Sequence, residues 1–131
     1  MSSGLDQYLD VIKSNGEATT TIPAGSAVIQ GDNPHEVLMP SVANDGSIVG
    51  VSLFTQDTAD GPVVLRRHGL VLMKASGAIV AGARVNINGT GGEAKTVNES
   101  AGTIVHCVGF AHTAAASNNV IINVMIHEHV V

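Results

Sequence analysis

The sequence predicts an all-β fold, a compact β-barrel or β-sandwich of about 8–10 short strands preceded by an N-terminal arm. Three observations predict it. Short runs rich in Val, Ile and Thr recur between clusters of Gly, Asn, Asp and Pro. No long run with helical spacing of apolar residues follows the N-terminus. Similar motifs recur at a fixed spacing, which suggests that the β domain consists of two similar halves.

Residues 1–16 are polar and mixed, with a short helical turn expected in Gly4–Ile12, and read as an arm that orders only on docking. A single β domain follows over residues 17–131. Its candidate strands are Ala18–Ile22, Ala27–Gln30, Glu36–Met39, Ile48–Thr55, Pro62–Arg67, Leu70–Lys74, Arg84–Asn88, Ala94–Val97, Thr103–Thr113 and Asn119–Glu128. Asn44-Asp-Gly46, Asp60-Gly-Pro62, Asn88-Gly89 and Gly91-Gly92 supply the positive-φ or tight-turn positions between them. Pro23, Pro34, Pro40 and Pro62 fall at run ends, where no ladder donor is lost.

The repeat spans 18–68 and 75–127. Ala24-Gly-Ser-Ala-Val28 resembles Ala81-Gly-Ala-Arg-Val85, and Ile48-Val-Gly-Val51 resembles Ile104-Val-His-Cys-Val108. Thr58-Ala-Asp-Gly-Pro-Val-Val-Leu65 resembles Ala115-Ala-Ser-Asn-Asn-Val-Ile-Ile122. Gly25 and Gly82 are read as turning the chain where a Cβ would clash.

Charge is scarce: charged residues are 13% of the chain, against a typical value of about 25%. The net charge of −5 comes from 11 acids and 6 bases. There is no block of Lys or Arg, so nucleic-acid binding is not expected. Tyr8, Phe54 and Phe110 are the sole aromatics, too few for stacking platforms. No apolar run approaches the roughly 18 residues of a membrane span. The start of the chain lacks a signal peptide's basic and apolar regions, so a cytosol-like compartment is expected. The lone Cys107 excludes an internal disulfide and reads as a small core hydrophobe.

No reacting constellation emerges, and the chain reads as a non-enzyme without cofactors. His127-Glu128-His129 sits at a strand end, where imidazoles at i and i+2 share a face, yet no third metal ligand can be assigned. Arg66-Arg67-His68 alternates faces on a strand and suits a subunit edge better than a phosphate. Gly89-Thr-Gly-Gly92 lacks the helix opening of a phosphate loop and reads as a hairpin turn. The acids fall in turns, and no Gly-x-Ser-x-Gly elbow occurs.

Read in order, Pro23-Ala-Gly-Ser-Ala-Val28, Ile48-Val-Gly-Val51, Ala59-Asp-Gly-Pro-Val-Val64, His68-Gly-Leu-Val-Leu-Met-Lys-Ala75, Ala78-Ile-Val-Ala-Gly-Ala-Arg-Val85 and Val108-Gly-Phe-Ala111 form a pattern. It resembles the capsid decoration, or cement, proteins of tailed bacteriophages over roughly residues 17–126. The resemblance implies a structural virion protein on the outer capsid surface, assembled in the host cytoplasm. Its implied partners are the major capsid protein, whose neighbouring subunits it clamps, and itself, as homo-dimer or homo-trimer. Leu5, Tyr8 and Leu9 of the arm, with Arg66, Arg67, His127 and His129, are the candidate interface residues. A tail or spike subunit is the alternative, and a small β-barrel binding a ligand or metal is a further one. Low charge and abundant small and β-branched residues suit the cement role, because flat seams are held by area rather than by a reactive site.

Overall fold

The computed structural model describes residues 9–14, 21–34, 36–41, 43, 47–58, 61–89, 91–97 and 106–130; of 9–14, 106 and 128–130 it describes the backbone alone. Among the described residues the fold is all-β. The strands are β1 (Leu9–Ser14), β2 (Ala27–Gln30), β3 (Glu36–Leu38), β4 (Ile48–Ser52), β5 (Pro62–Arg66), β6 (Gly69–Lys74), β7 (Arg84–Ile87), β8 (Ala94–Thr96), β9 (His106–Ala111) and β10 (Ile121–Val130). Most follow the candidate runs closely. Of the run Ala18–Ile22 only Thr21 and Ile22 are described, and Ile22 forms a bridge with Gln56. Leu9–Ser14, within the stretch read as an arm, forms β1.

Strands β1 to β5 close a barrel in the order β1-β3-β2-β4-β5, and β6 to β10 form a second sheet in the order β6-β10-β9-β7-β8. The halves repeat one another in register. Ala27 pairs with Val51 and Val28 with Gly50; Arg84 pairs with Phe110 and Val85 with Gly109. Val51 faces Arg66 and Ser52 faces Leu65, as Phe110 faces Met125 and Ala111 faces Val124. Gln30 opposite Val37 corresponds to Ile87 opposite Ala94. The parallel pair Ser14 and Val37 has its counterpart in a parallel bridge between Ala75 and Ala94. The spacing is therefore 57 residues for β2 and β3, but 59 for β4 and β5, where motif similarity alone suggested 57 for the last strand. For β1 it is 61.

The cores correspond as well. Ile22, Val28, Val37, Val63 and Leu65 fill the first barrel. Their counterparts Ile79, Val85, Ala94, Ile122 and Val124 lie in the larger second cluster. Each fully buried Ile or Leu contributes about 1.5–3 kcal/mol relative to exposure. The second cluster also takes in Ala27, Ile48 and Val51, so the first half packs its outside against the second. Gly50 and Gly109 occupy equivalent positions, where a Cβ would meet the carbonyl oxygens of Arg66 and Met125 respectively. Cys107 is buried beside Val97, as expected of a small core hydrophobe.

Candidate protein-binding surface

Alternation along β6 puts Val71 and Met73 inside and Leu70, Leu72 and Lys74 outside. Its partner β10 buries Ile122, Val124 and Ile126 and turns out Ile121 and Met125. In the ladder Leu70 faces Met125, Leu72 faces Asn123, and Lys74 faces Ile121. The outer face of this strand pair is thus largely apolar, with Lys74 and Asn123 as its polar members: Leu72 is 56% exposed and Ile121 55%, with Leu70 and Met125 less so. Adjacent large apolar side chains left in water are costly, and a cluster of them marks a contact surface more strongly than scattered ones do.

A groove of about 440 Å³ continues this face toward the first half, lined by Ala24, Leu53, Arg66, Leu70, Leu72 and Ile121 among others. Arg66 anchors its wall. Its NH1 donates to the Leu70 carbonyl at 2.9 Å. Among the described residues its buried Nε has no hydrogen-bond partner. The side chain is therefore fixed to β6 by one end of its guanidinium.

A second groove, of about 500 Å³, lies where the halves join and is lined by Ile48, Val49, Arg67, His68, Ile126 and His127. The His127 ring lies 5.9 Å from that of Phe110, tilted by 30°.

The candidate interface residues separate accordingly. Arg67 and His127 share one groove, while Arg66 lies in the other. Leu5 and Tyr8 are outside the described residues. Leu9 pairs with Arg66, and His129 with Cys107, through the backbone. The β9–β10 ladder shifts register between Ile126 and His129, so simple alternation does not carry from His127 to His129. Among the described residues no group of three His, Cys, Asp or Glu could hold a metal ion.

Leu70, Leu72, Ile121 and Met125 were not singled out by sequence reasoning. The available signal was Leu70-Val-Leu-Met73, which is apolar at odd and even positions alike. In a sheet with one buried face such a run must leave half its apolar side chains uncovered.

The sequence matches the family model described as phage cement protein over residues 7–126. Among solved structures it is similar to the N base of head fiber gp8.5 in bacteriophage phi29, with a TM-score of 0.68 at 17% identity. That similarity covers 91% of this chain and 94% of the other and is one of fold. No curated protein matches the chain.

Proposed function

The chain belongs to the phage cement protein family, and on that premise we propose that it binds the outer surface of a phage head and clamps neighbouring major capsid subunits. Family membership supports a structural role in the phage head rather than catalysis. In the finer reading it attaches in the host cytoplasm as a homo-dimer or homo-trimer, and neither nucleic acid nor membrane takes part.

The observation that carries the reading is the apolar outer face of β6 and β10. Leu70, Leu72, Ile121 and Met125 are a row of large side chains on a chain otherwise poor in charge. Such a face loses little on desolvation, since few hydrated charges must be stripped. A single contact of this size is weak, but many copies on a repeating lattice hold it firmly when each spans two subunits. Arg66, held to the Leu70 carbonyl at the groove wall, adds a polar fixed point that sets register.

The test is co-sedimentation of the purified protein with expanded empty heads, followed by heating. The reading predicts saturable binding and heads that open at a higher temperature when decorated. Binding to isolated tails and not to heads would replace this reading with the tail or spike alternative.

A further inference from the structure

The halves repeat one another down to single hydrogen bonds. Gly25 and Gly82 both have left-handed backbone, with φ of 81° and 86°. Each donates its N–H at 2.7 Å to the fourth strand of its own half, Gly25 to Ser52 and Gly82 to Ala111. Ser26 donates to the Pro23 carbonyl at 3.2 Å, and Ala83 to the Val80 carbonyl at 3.0 Å. The reciprocal pair Ile22 and Gln56 recurs as Ile79 and Ala115. The corner at 23–26 and the corner at 80–83 are one structure built twice.

Their surroundings differ. The first corner is covered by the second half: a Cβ on Gly25 would lie 3.1 Å from the Leu72 oxygen, and Ala27 donates to the Gly92 carbonyl at 2.9 Å. Ala27 and Val51 beside it are fully buried. At the second corner nothing lies within 4 Å of the corresponding position on Gly82. The counterparts of Ala27 and Val51 are exposed Arg84 and half-buried Phe110, and Val80 is 75% exposed.

We propose that the chain is two copies of one unit, and that the open corner at 80–83, with Phe110, receives the part of β1 before its Lys13 pairing with β3, from a second copy of this chain. The occupant follows from the repeat. The strand that covers Gly25 is β6, and the counterpart of β6 in the first unit is β1, with Val11 standing where Leu72 stands. The joint between chains thus reproduces the joint within the chain. It unites unlike faces, so it propagates and closes as a ring or runs on as a filament, and it cannot produce a two-fold dimer. Arg84 in place of Ala27 makes it the more polar of the two joints. The contact forms in solution and does not rest on the shell reading.

Two single-cysteine variants test it: Ala81→Cys and Val11→Cys, made in the full chain, where the natural Cys107 is buried. Mixed under mild oxidation, they should cross-link to each other roughly tenfold more than either does alone, because docking raises their local concentration. In parallel, Val80→Asp should lower the sedimenting mass of the otherwise unaltered protein while leaving its melting temperature in place. The proposal is overturned by a wild-type protein that stays monomeric at high micromolar concentration. Preferential Ala81→Cys self-cross-linking, the mark of a two-fold contact, would equally overturn it.

Discussion

Gly25 and the carbonyl oxygen of Leu72 meet across the junction of the two halves, with no room between them for an ordinary side chain: a Cβ would stand 3.1 Å from the oxygen. Gly82 has the same backbone conformation and open space around it. The pair separates two effects that usually arrive together, left-handed strain and steric conflict. Gly82→Ala should cost about 1–2 kcal/mol, the strain of an L-residue in that conformation. Gly25→Ala should cost about 1–3 kcal/mol more, as overpacking does. Denaturant midpoints measure the difference, and equal losses would mean that the junction yields.

The halves should also differ in their resistance to opening. Among the described residues, the first barrel encloses five buried side chains, while the second cluster holds sixteen, three of them borrowed from the first half. Opening free energies track buried apolar contact, so the amides of β2, β4 and β5 should exchange before those of β9 and β10. Native-state hydrogen exchange reads this order strand by strand. Protection lost in all strands together would mean that the halves unfold as one unit.

A surface that binds through apolar area responds weakly to salt. Exposed ion pairs are largely screened once the Debye length falls to about 3 Å near 1 M salt. Affinity for empty heads should change by less than about threefold between low and high sodium chloride, and sulfate should strengthen it. A steep fall with salt would shift the contact to the groove that holds Arg67, His68 and His127.

Much of the fold is legible in the sequence because turn residues punctuate it. Ala27–Gln30 lies between the turn at Ala24-Gly25 and the bend at Asp32-Asn33, and its bounds agree with expectation. Strand β1 escapes notice because Leu9–Ser14 carries charge at Asp10 and Lys13 and finds its partners, β5 and β3, far along the chain. The 59-residue spacing of the later strands is hidden because Val, Ile and Ala match almost any register of themselves, whereas the ladder admits one.

The contact surface is less legible for a related reason. Arg66, Arg67 and His127 stand out as charged or titratable residues, whereas Leu72 and Ile121 look like core until the sheet shows which face is covered. Burial is a property of the assembled sheet. Only the missing alternation in Leu70-Val-Leu-Met73 carries a local trace of it.

The central claim, that the outer face of β6 and β10 holds the protein to a phage head, is tested most directly by affinity. Titration of expanded empty heads with wild type and with the Leu72→Asp, Ile121→Asp double variant provides the measurement. Both side chains are more than half exposed, so the folded protein should keep its melting temperature to within a few degrees. Loss of two apolar anchors at about 1–2 kcal/mol each, together with two charges desolvated against the shell, predicts a fall of about 100-fold or more. A double variant that stays folded and binds heads as tightly as wild type would contradict the account.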